Sequence, residues 1–249
     1  MVCLSIFEKF MIVFGLVVEG KTDLAVLDNI LCGFFGDDNI EVTDLQPRRK
    51  DQDSFGNWLN VFKYCASPKL ARDLQAVDYI VIQIDTDVSE DIGYDVPKFM
   101  ANEEGHNIEK NIEQMIADVQ ARLIEAITPE IHQRYQSRII FSICVDSLEC
   151  WLLPLVYPSQ SGKTKNCFKA FQRHLIERKK TRSKELDKEL SKKNDKDLKN
   201  PKSFNFYDSL SSAYLDFDLL QECAKENPSF SVFIKNLIDM DIKESPIQI

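Results

Sequence analysis

The chain has 249 residues, with 31 Lys or Arg against 40 Asp or Glu and a formal charge of −9; 44% of it is apolar, enough for one large or two small cored domains. This balance argues against a uniformly basic nucleic-acid coat while leaving room for a local basic strip, and eight glycines argue against collagen-like or glycine-rich linker architecture. The seven cysteines (Cys3, Cys32, Cys65, Cys144, Cys150, Cys167, Cys223) are odd in number, scattered and without a C-x-x-C pair. That disfavours a zinc ribbon or a secreted disulfide framework and predicts reduced, mostly buried thiols in a cytosolic protein.

In chain order, the first apolar stretch is broken by Glu8 and Lys9, lacks a small-residue cleavage site and runs straight into Glu19-Gly20, unlike a signal peptide or a membrane span. Residues 1–10 read as an extension, and either Met1 or Met11 can serve as the start. Met11–Val18 (MIVFGLVV) is short, apolar and β-branched, the pattern of a strand covered on both faces. Thr22–Cys32 has helical spacing, with Gly33 as its stop. Ile40–Leu45 suits a second strand, and Arg48-Arg49-Lys50 opens a polar loop. Phe55–Tyr64 and Leu70–Leu74 read as helices. Tyr79–Ile84 (YIVIQI) is another buried strand, ending in Asp85-Thr86-Asp87. Val88–His106 reads as a polar loop, and Ile108–Ile127 as a strongly periodic helix closed before Pro129. Arg138–Val145 is a third buried strand, after which Asp146 or Ser147 is placed to cap a helix carrying Glu149.

Strands alternating with helices predict an α/β fold with a mostly parallel sheet. The composition changes after Pro158. Residues 161–202 hold 15 Lys or Arg and 6 Asp or Glu, a local +9 against −18 for the remainder. The expected division is therefore 1–157, with a core from about residue 11, and a basic, mainly helical region over 158–249, whose last amphipathic helix starts at Asn227-Pro228-Ser229.

Three strand ends carry acids: Glu19 with Asp23, Asp85 with Asp87, and Asp146 with Glu149. In a parallel sheet all strand carboxyl ends lie on one edge, where ligands bind. Clustered carboxylates repel one another, and a divalent cation relieves that repulsion. The three histidines (His106, His132, His174) have no metal-ligand spacing, so a hard-oxygen donor set favours Mg²⁺ or Mn²⁺ and phosphate chemistry. Ser161-Gly162-Lys163-Thr164 mimics the end of a phosphate-binding loop, but Tyr157 stands where that loop needs glycine.

The pair VVEGKTD at 17–23 and IDTDV at 84–88, each closing an apolar strand, resembles the Toprim domain, and within it the nuclease branch of the OLD family and ribonuclease M5, over roughly residues 11–157. The resemblance implies a Toprim-like sheet and a Mg²⁺- or Mn²⁺-dependent cut of DNA or RNA. Glu19 would be a metal ligand or general acid/base, Asp85 and Asp87 would hold Mg²⁺, and Asp23 would complete a two-metal site. Glu149, within SLECWLL, resembles a late acidic position in small stand-alone Toprim-like proteins of bacterial defence islands. The same branch supplies a downstream Lys, for which Lys163 and Lys165 are both candidates. Lys21, Arg48, Arg49 and Lys50 join these two as candidate nucleic-acid contacts. Small proteins of this type sit beside an ABC/SMC-like ATPase in anti-phage immunity; restraint by such a partner or by self-assembly into a homodimer is expected, in the cytoplasm and with no membrane role. Two other readings stay open: a haloacid-dehalogenase-like phosphatase with Asp85 as nucleophile and Asp87 as acid/base, although Ser89 departs from that motif, and a non-catalytic Toprim-like module that docks on a partner.

Overall fold

The computed structural model of the chain describes residues 11–49, 56–181 and 203–240. Residues 1–10, Lys50 and the second half of the basic strip, 182–202, lie outside the described residues. Strand β1 (Ile12–Val17) leads into helix α1 (Lys21–Phe35) and strand β2 (Ile40–Gln46). Helices α2 (Trp58–Cys65) and α3 (Pro68–Asp73) precede strand β3 (Tyr79–Asp85). A hairpin of β4 (Phe99–Ala101) and β5 (Asn107–Glu109) comes next, then α4 (Ile112–Ala126), α5 (Pro129–Tyr135) and β6 (Ile139–Cys144). Helices α6 (Glu149–Val156) and α7 (Cys167–Thr181) follow, and α8 (Phe204–Ser211), α9 (Phe217–Glu226) and α10 (Pro228–Ile238) complete the described chain.

The main sheet has the order β2-β1-β3-β6 and every neighbouring pair is parallel, so the α/β expectation holds. The two inner strands, β1 and β3, and the edge strand β6 are the apolar runs, because helices cover both faces of the sheet at each of them. Phe14, Leu16, Tyr79, Val81 and Ile140 point to one face and join α1, α6, α7 and the C-terminal helices in a single apolar cluster. Val17, Ile80, Ile82, Ile84 and Ile143 point to the other, under α2 to α5. Each such fully buried side chain contributes about 1.5–3 kcal/mol. The chain leaves β1 toward β2 on one side and β3 toward β6 on the other. The gap between β1 and β3 is therefore the topological switch point, the place where open parallel sheets bind ligands.

Several boundaries differ from the periodicity reading. Helix α1 does not stop at Gly33 but at Gly36, whose φ of 82° is left-handed and whose N–H reaches the Cys32 carbonyl at 2.8 Å. Gly33 is needed for a different reason. A Cβ there would sit 1.8 Å from the Tyr214 carbonyl oxygen, so the glycine lets the C-terminal region close onto α1. The stretch 88–106 is not all loop, and Ile108 is in β5 rather than α4. The start of α4 is set by a capping box between Asn111 and Gln114.

The composition boundary at 157 and 158 is not a gap in the core. Leu24, Trp151, Tyr207 and Phe233 belong to one cluster. The Trp151 ring stacks on Phe230 and Phe233, with centroids 4.7 and 5.4 Å away, and its Nε1 donates to Ser229 Oγ at 2.8 Å. Asn29 Nδ2 on α1 donates to Ser211 Oγ at 2.8 Å. No helix among the described residues is long and apolar enough to cross a membrane.

Candidate metal centre

Alternation along β3 puts Tyr79 and Val81 on the α1 face, and the same two-residue period carries Gln83 and Asp85 to that face at the carboxyl end of the strand. Gln83 is fully buried and links two strand ends. Its Oε1 accepts from the Glu19 N–H at 3.2 Å and its Nε2 donates to Asp85 Oδ1 at 2.8 Å. Glu19 Oε1 in turn accepts from the Asp85 N–H at 2.7 Å. The Leu148 N–H, just beyond β6, adds a third connection to Asp85 Oδ1 at 3.1 Å. Residues 66 positions apart are thus held in one hydrogen-bonded knot spanning three strand ends.

The other acids close around this knot. Asp23 is buried in the first turn of α1, where the helix N-terminus favours negative charge. Glu149 begins α6 with both oxygens engaged: Ser147 Oγ donates to Oε2 and the Tyr207 hydroxyl to Oε1, each at 2.6 Å. Burial first, then Glu149, pushes the Tyr207 hydroxyl well above its ordinary range, which keeps it a donor. The Asp85 carboxyl is also pushed well above the usual carboxylate range, chiefly by burial and then by Glu19, Asp23, Glu149 and Asp87. Asp87 lies two residues further on, exposed, its carboxyl raised by burial of part of the group and by the neighbouring Asp146. The Tyr94 hydroxyl donates to the Asp85 carbonyl at 2.9 Å, and Arg122 grips the Gly93 and Tyr94 carbonyls at 2.9 and 3.1 Å, fixing the loop after β3.

Gln83, Gly56 and Tyr207 are site residues that sequence reasoning misses. Gln83 does carry a signal, as the one polar residue inside an apolar strand. Gly56 is required because a Cβ there would fall 1.7 Å from the Glu19 carbonyl oxygen. Neither it nor Tyr207 announces itself in the sequence, since each is brought to the site by packing alone.

The basic candidates separate. Lys165 is exposed on the wall of a cleft of about 460 Å³ beside Asp87 and pairs with Glu109. Lys163 lines a different cavity, and its carbonyl accepts from Asn227 Nδ2 at 3.3 Å. Arg49 is tied into the fold by ion pairs to Asp28 at 2.9 Å and Asp44 at 3.1 Å, with its guanidinium over the Phe204 ring. Lys21 Nζ donates to the Arg49 carbonyl at 3.3 Å, and Arg48 is exposed on the loop after β2. Lys50 lies outside the described residues.

Asp146 does not cap α6. At a left-handed φ of 70°, a conformation Asp tolerates, its carboxylate accepts from the Asn166 and Cys167 N–H groups at 2.9 and 2.8 Å and so caps α7. The expectation of reduced thiols is corrected for one pair. Cys150 and Cys167 are joined in a disulfide, because the first turn of α6 and the start of α7 meet beside Asp146. Cys32, Cys65, Cys144 and Cys223 are free thiols. Burial and then the Asp85 charge push the Cys144 thiol well up, so it is inert.

The five acids offer only oxygen donors, and the central one, Asp85, is penalised for its charge by burial and by its acidic neighbours, a combination that suits a hard divalent cation. Among the described residues, the one trio of metal-ligating side chains with all donor atoms within 4.8 Å of one another is Asp146, Cys150 and Cys167. Its two sulfurs are bonded to each other. The acids around Asp85 are gathered but more widely spaced than that. Comparison of the chain with family models, curated proteins and solved structures finds no match.

Proposed function

We propose that the protein is a divalent-metal-dependent nuclease of Toprim type. The observation that carries this reading is the knot at the switch point, where Glu19 Oε1 accepts the Asp85 N–H while the charges of Asp23, Glu149 and Asp87 bear on the Asp85 carboxyl. Glu19, Asp85 and Asp87, with Asp23 and Glu149, would hold Mg²⁺ or Mn²⁺. A bound divalent cation in such a site polarises a phosphoryl oxygen and offsets charge on the leaving oxygen. The chain's own residues do the positioning. Gln83 aligns Glu19 with Asp85, Ser147 and Tyr207 fix the Glu149 carboxylate, and Asp87 stands at the edge nearest the cleft. The carboxylates would draw closer on loading, as mutual repulsion is removed.

The dehalogenase-like reading draws less support. Ser89 stands where that motif expects Thr or Val, and Asp85 lies behind a complete strand–helix unit rather than at the opening of the domain. A cytoplasmic nuclease needs restraint, so an ABC/SMC-like ATPase partner, a homodimer and a role in anti-phage defence belong to the same proposal. The test is cleavage of RNA and DNA by the purified chain with Mg²⁺ or Mn²⁺, with Asp85→Ala as control. The reading expects metal-dependent cleavage that the substitution reduces by at least about 100-fold; equal rates for parent and variant would sink it.

A further inference from the structure

We propose that the cleft beside Asp87 seats one unpaired nucleotide, so that the site takes single-stranded or looped nucleic acid in preference to continuous duplex. The inference rests on the nuclease reading for its substrate and goes beyond it in naming the strand state. The cleft holds about 460 Å³, at the scale of a pocket for a single small ligand, roughly 300–1,000 Å³. A single nucleotide is of that scale, and its base can meet the apolar walls only when it is out of a base-paired stack.

Its walls carry the three kinds of group that a nucleotide needs. Cations line the cleft. Lys98 Nζ donates to the Asp87 carbonyl at 2.5 Å, which places an ammonium directly against a candidate ligand residue. Lys110 has a side chain only 9% exposed and pairs with Asp118 at 2.5 Å, a charge built into the fold. Lys165, just ahead of α7, and Lys169, in its first turn, also line the cleft. Apolar surface lies between: Ile112 and Met115 from α4, and Phe168, half-buried, from α7. Such surface has no use for a phosphodiester backbone alone but offers a face on which an unstacked base can lie. Asn111 and Asn166 supply polar edges.

Two of the lining residues, Glu109 on β5 and Lys165 ahead of α7, form an ion pair with each other. Entry of a phosphate would exchange the Glu109 carboxylate on Lys165 for a phosphate oxygen, conserving the number of charge-assisted bonds. The cleft lining includes Thr86, Asp87 and Asp146, so a base held there lies beside Asp87, one of the candidate metal-holding acids.

The test separates this inference from the nuclease reading by measuring binding and cleavage independently. Fluorescence anisotropy of the full chain carrying Asp85→Asn, in EDTA, is measured against one sequence as single strand, as hairpin loop and as duplex, in RNA and DNA forms. Single strand and loop are expected to bind at least 10-fold tighter than duplex. Phe168→Ala should cost about 5- to 100-fold on single strands, the range for losing one base-stacking partner, and little on duplex. Phe168→Tyr should restore binding, and unchanged melting temperatures exclude a folding defect. Equal affinity for duplex and single strand, or no effect of Phe168→Ala, would overturn the inference whatever the cleavage result. Preferential single-strand binding lost in Phe168→Ala but with no cleavage by the parent chain would sustain the nucleotide seat and sink the nuclease reading instead.

Discussion

Replacing Asp85 by Asn is expected to stabilise the protein without metal and to abolish its stabilisation by metal. At pH above the raised native value of the Asp85 carboxyl, the exchange removes one negative charge from a partly buried cluster of like charges. It keeps the oxygen that accepts from Leu148 N–H at 3.1 Å and from Gln83 Nε2 at 2.8 Å, so no buried donor is orphaned. Relief of an unpaired buried charge with its hydrogen bonds retained is worth about 1–3 kcal/mol. For a chain of this length that corresponds to a rise of roughly 2–12 °C in melting temperature.

The pH dependence has a defined sign. In the unfolded chain the Asp85 carboxyl titrates near its ordinary value of 3.8, whereas the native site holds its proton to higher pH. Between the two values the native state binds more protons, so the stability this group contributes is present at low pH and lost as pH rises through its raised native value. The Asn variant lacks this component, and its advantage over the parent should shrink as pH is lowered toward 4.

Metal acts in the opposite direction. A cation present at 100 times its dissociation constant stabilises the native state by about 2.7 kcal/mol, or roughly 5–11 °C. The parent should show this with Mg²⁺ or Mn²⁺, and the variant should not. Thermal melts followed by circular dichroism in EDTA and in each metal, across pH 4–8, measure both effects. An Asn variant less stable than the parent in EDTA, or equally stabilised by Mg²⁺, would refute the reasoning that Asp85 is a strained charge awaiting a cation.

Two further outcomes test how the site is supported. Gly56→Ala forces a Cβ to within 1.7 Å of the Glu19 carbonyl oxygen. It should cost about 1–3 kcal/mol in urea unfolding and lower any metal-dependent cleavage at least 10-fold by displacing Glu19. Trp151→Ala removes two ring stacks and the bond to Ser229, and should cost about 3–5 kcal/mol. Because α6 and α10 share one core, it should lower a single cooperative transition; two separate transitions by calorimetry would show the C-terminal helices to be independent.

Strands β1, β3 and β6 were legible from sequence because a strand buried on both faces must be apolar throughout, the pattern of Met11–Val18, Tyr79–Ile84 and Arg138–Val145. The acids at their ends were legible for a related reason. A charged residue directly after such a run marks the sheet edge, and all those ends coincide in a parallel sheet. The β4–β5 hairpin was not legible, since three-residue strands with mostly exposed side chains carry no period. Ile108 fell in phase with Ile112 and Met115, and periodicity alone extends the helix to include it. Gly33 looked like a helix stop because closeness to Tyr214 is invisible to a local reading.

Sequence alone determined the α/β class, the central strands and the acids Glu19, Asp85 and Asp87 at their ends, since burial period and strand polarity are local properties of the chain. Tertiary structure alone decided that Gln83 bridges Glu19 to Asp85, that Tyr207 holds Glu149, that Asp146 caps α7, that Cys150 meets Cys167, and that Lys165 rather than Lys163 faces the cleft. Each of these depends on a contact between segments whose separation in the chain carries no information about their distance in space. Such contacts are selected by how helices pack on the two faces of the sheet, a choice made by the whole core at once.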